Sequence, residues 1–344
     1  MTEIALYRKY RPKAFKEVLG QDHVVSVLEG AIREGNISHA YLFAGSRGTG
    51  KTSVARIFAD AVGTSANDLY EIDAASNRGI DDVRALREAV NTLPFESRFK
   101  VYIIDEAHML TKEAFNALLK TLEEPPAHVI FVLATTEIDK LPQTIISRCQ
   151  TFTFKKPSIK VLKDLIAKVA KKEGFALENA SAELIALLGD GSFRDAQGIL
   201  QKIISTSPDK KVSVEEVLIV TGAPRSELVR DFISAVDAKD ISKAFSALKR
   251  TLEANVEMKV FLKLILQKMR LVLLLRYAPE LAQAIKEEVG EDEHSFLNNL
   301  ALRKDGNISA SILSVFLGAY NDVGRSFMPE LPIEIALARI LDNK

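Results

Sequence analysis

The segment Gly45-Ser46-Arg47-Gly48-Thr49-Gly50-Lys51-Thr52 constrains this chain more than any other stretch. It fits the pattern G-x-x-x-x-G-K-[ST], it follows the apolar run Ala40–Ala44, and it opens a helix-like stretch from Thr52 to Val62. A glycine-rich loop between a strand and a helix brings backbone N–H groups around an anion at the helix N-terminus. Lys51 supplies a point charge for β- and γ-phosphates, Thr52 offers a hydroxyl to Mg²⁺, and Ser53 continues the phosphate side. A chain built this way holds a nucleoside triphosphate, and it must fold so that a strand delivers the loop.

The remaining runs agree with that demand. Short β-rich segments recur at 40–43, 69–73, 100–104, 129–134 and 151–154, separated mostly by stretches of helical spacing. This alternation predicts an α/β unit with a parallel sheet covered by helices on both faces. Open sheets of this kind place ligands at the carboxyl ends of their strands, where the glycine-rich loop falls. Beyond Lys155-Lys156-Pro157 the β-branched runs largely disappear. Helices are expected at about 159–172, 180–189 and 195–205, and a second helical region begins near Arg225. The stretch Val260–Leu275 is apolar nearly all the way round and should be buried, either in an intrachain core or against other subunits.

Composition narrows the function classes. The 344 residues suit two or three domains, and 46 basic residues balance 46 acidic ones, so any nucleic-acid contact must come from a local patch. No apolar run reaches the ~18 residues of a spanning helix, and Met1-Thr2-Glu3 begins no signal peptide, so a cytoplasmic protein with no membrane partner is expected. Cys149 is the only cysteine, which excludes an internal disulfide and a four-cysteine zinc site.

Four further places along the chain carry chemistry. Val101-Tyr102-Ile103-Ile104 is an apolar strand ending in Asp105 and Glu106. Successive strand residues point to opposite sides, so the two acids need not share a role. Asp105 is expected to hold Mg²⁺, and Glu106 to orient and polarise an attacking water. The strand at 129–134 ends in Thr135-Thr136, where Thr136 is the preferred sensor of the γ-phosphate and Thr135 the alternative. Arg148 precedes the last strand. It is either a surface residue or a guanidinium that reaches a neighbouring subunit's γ-phosphate. Arg194 begins a helix from which it is placed to reach nucleotide on its own chain.

Taken together, these motifs resemble the AAA+ clamp-loader ATPases, and within them the bacterial DNA polymerase III gamma/tau subunits. The resemblance rests on Tyr7-Arg8-Lys9-Tyr10-Arg11-Pro12, Gly20-Gln21, His39 to Phe43, Gly45 to Thr52 and Asp73 to Gly79. It continues through Asp105 to Leu110, Phe115 to Pro126, Ser147-Arg148-Cys149 and Gly191 to Ala196. It is dense over residues 1–200 and afterwards lies mainly in helical pattern. It implies an AAA+ P-loop core with a five-stranded parallel sheet at 1–157, a helical lid at 158–223 and an all-α collar at 224–344. It also implies ATP and Mg²⁺ as cofactors, with Tyr10, Arg11, Pro12, Gly20 and Gln21 lining the adenine side. Thr136 would be sensor 1, Arg148 a finger acting in trans and Arg194 sensor 2. The implied partners are the delta and delta-prime subunits, the sliding clamp, primed DNA and other copies of the chain.

The sequence departs from that family pattern in two places. Phe58 to Asp68 forms a short cysteine-free connection where a four-cysteine zinc module is usual, so zinc is not expected. The chain stops soon after Leu331-Pro332-Ile333-Glu334, so the tail of the longer tau form is not expected in it. DNA backbone contacts fall by resemblance to Arg78, Lys120 and Lys140. Two other readings stand beside the loader: a related AAA+ DNA motor such as a branch-migration helicase, and a nucleotide-binding scaffold with little turnover.

Overall fold

The computed structural model describes residues 4–77, 86, 88–207, 209–303 and 305–342. Two compact units emerge, one from residues up to 173 together with 185–201, the other from 174–184 together with 202 onward.

The first unit is built on five parallel strands, β1 (Ala40–Ala44), β2 (Leu69–Asp73), β3 (Lys100–Asp105), β4 (Val129–Thr135) and β5 (Gln150–Thr153), in the order β2-β3-β4-β1-β5. Every residue of β1 and β4 is buried, because the central strands are covered on both faces. The strand period then splits their side chains between two cores. Leu42, Tyr102, Ile104, Phe131 and Leu133 pack on one face with Phe115 and Leu118 of the helix Lys112–Glu123. Tyr41, Phe43, Ile103 and Val132 pack on the other with Leu28 of the helix Asp22–Glu34 and Phe58 of the helix Lys51–Ala61. β2 is half-exposed, as an edge strand must be. The last strand begins one residue earlier than its apolar run, at Gln150. Phe154, past its end, still donates its N–H to the Ala44 carbonyl at 2.7 Å.

The connection from the helix Lys51–Ala61 to β2 is held by one carboxylate. Asp68 is fully buried and accepts backbone N–H groups from Phe95 at 2.5 Å, Glu96 at 3.0 Å and Ser97 at 2.8 Å. Burial alone would raise its pKa, but these donors hold the carboxyl well below the usual range.

The second unit is helical apart from a short pairing of Ala176–Leu177 with Lys211–Val212. Its centre is the helix Met258–Tyr277, which packs against the helices Ser226–Asp237, Glu291–Leu302 and Ala310–Val323. Phe261 meets Phe232 with ring centroids 5.3 Å apart, and Phe232 meets Phe316 at 5.7 Å. Of the two readings of this apolar segment, the intrachain core is the one observed.

Candidate nucleotide-binding site

The helix Lys51–Ala61 starts where the glycine-rich loop ends, with Gly50 as its N-cap at φ +105°, a backbone conformation that side-chain-bearing residues avoid. Gly48 is needed for a second reason. A Cβ there would lie 2.0 Å from Ser192 Oγ, and its carbonyl accepts the Phe193 N–H at 2.9 Å. The loop therefore borders a cleft of about 400 Å³ within the first unit, lined on this side by Arg47, Gly48, Thr49, Gly50, Lys51, Thr52 and Ser53.

Lys51 is buried, and its Nζ donates to the carbonyls of Gly45 at 2.7 Å and Ser46 at 3.0 Å. Gly45 and Ser46 thus fix the position of the amine. Burial pushes its pKa below the ordinary lysine value, opposed by the carboxylates of Glu106 and Asp105. This places one cation and two anions around the same small volume.

The two acids ending β3 are separated by the backbone. Asp105 is the last strand residue, whereas Glu106 turns into the left-handed region at φ +49°. Asp105 Oδ2 accepts from Thr52 Oγ1 at 2.7 Å, and Oδ1 accepts the Glu106 N–H at 3.0 Å. A hydroxyl and a carboxylate so joined are the hard oxygen donors that suit Mg²⁺. Glu106 lines the cleft and accepts from Thr136 Oγ1 at 3.0 Å.

Thr135 and Thr136 take different places although they are adjacent. Thr135 is fully buried, and its Oγ1 lies 3.1 Å from His108 Nδ1 and accepts the Glu137 N–H at 3.0 Å. Thr136, beyond the end of β4, reaches Glu106. His108, whose side chain is almost wholly buried, sits 3.5 Å from Glu106 and 3.3 Å from Glu137.

The cleft is lined as well by Tyr7, Tyr10, Arg11, Pro12, Val18, Leu19, Leu165, Phe193, Arg194 and Gln197. Arg194 stands over the Tyr7 ring, 4.8 Å from its centroid. Tyr10 is hydrogen-bonded to Glu173, and burial followed by that carboxylate pushes its phenol up to about 12. Gly20 and Gln21 do not line the cleft. Gln21 is fully buried, donates to the Lys155 carbonyl at 2.7 Å and accepts the Lys155 N–H at 3.1 Å, bracing the chain where it leaves β5. Tyr7 and Phe193 lie within quoted motifs but have no role assigned there, and Leu165 and Gln197 lie in no motif. Phe193 and Gln197 are marked in sequence by their position beside Arg194 on one helix.

Arg148 lies outside the cleft lining. It pairs with Glu123 at 2.5 Å and donates to the Thr144 carbonyl at 2.8 Å. Lys120 is exposed on the helix Lys112–Glu123, and Lys140 is exposed and paired with Glu137 at 2.8 Å. Arg78 lies outside the described residues.

A parallel sheet ordered β2-β3-β4-β1-β5, a phosphate loop after β1, an acidic pair ending β3 and a helical region that follows define a P-loop nucleotide-binding protein of the AAA+ class. The Thermotoga maritima RuvB Holliday junction branch migration motor has a similar fold. It aligns with a TM-score of 0.54 and 25% identity over 66% of this chain and 79% of that one. Residues 63–158 match the family described as DNA polymerase III, delta subunit. The Bacillus subtilis DNA polymerase III subunit tau is 37% identical over 99% of this chain and 63% of its own length. The Mycobacterium tuberculosis gamma/tau subunit is 34% identical over 98% of this chain and 62% of its own. The chain belongs to the family of bacterial DNA polymerase III gamma/tau subunits, and it spans about six-tenths of the length of these relatives. Among the described residues no helix is long and apolar enough to cross a membrane.

Proposed function

We propose that the chain is an ATP-hydrolysing motor subunit of a clamp loader, the cytoplasmic assembly that opens a sliding clamp and sets it on primed DNA. The observation that carries this reading is a division of parts. Lys51, Thr52, Asp105 and Glu106 line one cleft, with Thr136 behind Glu106 and bonded to it, whereas Arg148 lies outside the lining and is paired with Glu123. A site supplied with phosphate donors and a water-activating acid, but with its candidate finger elsewhere, is suited to completion by a neighbouring subunit.

In this mechanism the N–H groups at 48–52 and the Lys51 amine bind triphosphate oxygens. Thr52 and Asp105 would hold Mg²⁺, which when bound neutralises charge on the phosphate oxygens. Thr136 holds the Glu106 carboxylate, which orients the attacking water and draws on its proton. Arg194 acts from the same chain, and Arg148 of a neighbouring copy stabilises charge on the transferring phosphoryl group. ATP binding tightens the ring around clamp and DNA, and hydrolysis releases them. The layout assigned is an ATPase domain at 1–157, a lid at 158–223 and a collar at 224–344 that holds other copies and the delta and delta-prime subunits. Exposed Lys120 and Lys140, with Arg78, are assigned to the DNA backbone, so affinity should fall with salt.

The test is steady-state ATPase of the chain assembled with delta, delta-prime and clamp, with and without primed DNA. Strong stimulation by clamp plus DNA, lost in Arg148→Ala, is expected. Turnover indifferent to both would overturn the reading. The fold shared with the branch-migration motor favours a second reading, a DNA-translocating motor, whose mark is processive strand displacement.

A further inference from the structure

One arginine of the cleft lining is held by an aromatic ring from a distant part of the chain. Arg194, the second residue of the helix Phe193–Ile204, has its guanidinium carbon 4.8 Å from the centroid of the Tyr7 ring, and both residues line the cleft. The face of an aromatic ring carries the negative part of its quadrupole, so it attracts a guanidinium without neutralising it. Among the described residues Arg194 forms no ion pair, and its positive charge stays available in the cleft.

The helix that carries Arg194 is anchored to the glycine-rich loop. The Phe193 N–H donates to the Gly48 carbonyl at 2.9 Å, and a Cβ at Gly48 would lie 2.0 Å from Ser192 Oγ, so no side chain fits between them. Arg194 follows directly on these two contacts. Its backbone is thereby fixed beside the loop whose N–H groups and Lys51 amine suit phosphates, and the side chain is what remains free to move. A long side chain left to itself spreads over many rotamers, and ordering it weakens any contact that it makes with a ligand. A ring that already holds the guanidinium removes part of that cost before the ligand arrives.

We propose that Tyr7 is a positioning residue whose ring holds the Arg194 guanidinium in place for the terminal phosphate of a nucleoside triphosphate. Part of the preference for triphosphate over diphosphate then resides in Tyr7. This inference rests on the assignment of Arg194 to the nucleotide of its own chain. Tyr7 acts through Arg194, and its contribution depends on the electron density of the ring face.

The experiment titrates the full chain with ATP and with ADP and reads the ratio of the two affinities in a double-mutant cycle of Tyr7→Leu and Arg194→Ala. Arg194→Ala should lower the preference for ATP. Tyr7→Leu should lower it about two- to fivefold, the worth of one cation–π contact at a part-exposed site, and should lower it no further once Arg194→Ala is present. Tyr7→Phe keeps the ring and should keep the wild-type ratio. Tyr7→pentafluorophenylalanine keeps the ring's shape but reverses its quadrupole, and it should match Tyr7→Leu. A thermal melt reports folding of each variant, and if Tyr7→Leu does not fold the two ring variants decide. Equal ratios in those two variants overturn the proposal, as does an equal loss on Tyr7→Leu with and without Arg194. A rise in ATP preference on Tyr7→Leu overturns it too, because the ring would then be withholding the arginine. If Arg194→Ala leaves the ratio unchanged, the assignment of Arg194 to the nucleotide fails and the proposal with it. Failure of wild type to bind either nucleotide would overturn the nucleotide reading itself.

Discussion

Glu106→Gln should separate nucleotide binding from turnover. On the proposed mechanism the substitution removes the charge that draws on the attacking water, but it leaves an amide oxygen able to accept from Thr136 Oγ1, now 3.0 Å from the carboxylate. The residue sits at φ +49°, and glutamine carries the same Cβ as glutamate, so the backbone cost is the same for both. The fold at the end of β3 should therefore persist. Removing a positioned general base costs about 10²–10⁴ in rate, or about 3–5 kcal/mol in the barrier. Binding should move the other way. A carboxylate facing a triphosphate repels it, and unit charges about 6 Å apart at an effective dielectric of ~20 interact by about 3 kcal/mol before salt screening. ATP affinity should hence be unchanged or rise by up to about tenfold. Equilibrium titration of the isolated chain gives the affinity, and single-turnover hydrolysis in the assembled complex gives the chemical step. Loss of affinity in parallel with loss of turnover would refute the assignment of Glu106 to water activation.

Lys51→Met should abolish nucleotide binding without unfolding the chain, because the long apolar side chain fills the same buried slot; calorimetry with ATP and a thermal melt check both halves. Arg148→Ala should leave ATP affinity of the isolated chain within about twofold, since the residue lies outside the cleft and its pairing with Glu123 is a half-exposed ion pair of little energy. Its defect should appear only in the assembled ATPase. Asp68→Ala leaves three backbone donors without their acceptor and should cost about 3 kcal/mol by denaturant unfolding. Because the folded-state pKa of Asp68 is depressed, its contribution is present above the unfolded carboxylate value of about 3.9 and is lost as pH falls through the folded value. The stability gap between wild type and Asp68→Asn should thus narrow as pH drops below about 4. Burial pushes the Cys149 thiol up to about 12, so it should react slowly with thiol reagents at pH 8 and at the normal rate once unfolded.

How much of the site was legible in the sequence follows from how far apart its partners lie along the chain. The glycine-rich loop was legible because its chemistry is local: the turn, the cap and the amine all lie within eight residues. The inner strands β1, β3 and β4 were legible because they are buried on both faces and read as nearly unbroken apolar runs, and their ends shifted by only a residue or so. Gln21 shows where such reading stops. Its residue type and place before a helix say nothing of Lys155, which its amide grips from more than a hundred residues away. Asp68 is similar, since a single acid in a polar connection gives no hint that three N–H groups from beyond a separate segment close on it. Gln197 carries no motif at all, and its place in the cleft lining appears only in the fold.

The pairing of Thr136 with Glu106 unites these two kinds of information. The sequence shows two strands, each ending in polar residues, and prefers Thr136 with Thr135 as the alternative. Sheet order settles the geometry, because β4 lies hydrogen-bonded beside β3 and its end therefore falls next to the acidic pair. Strand alternation then sends Thr135 into the core toward His108 and frees its neighbour to meet Glu106. The same alternation, broken by the left-handed turn at Glu106, directs Asp105 to Thr52 and Glu106 to the cleft. Two adjacent acids and two adjacent threonines thereby acquire four different environments from one parallel ladder. A substitution that shifted the register of β3 against β4 by one residue would exchange those environments, and it would remove both the Thr52 and the Thr136 contacts at once.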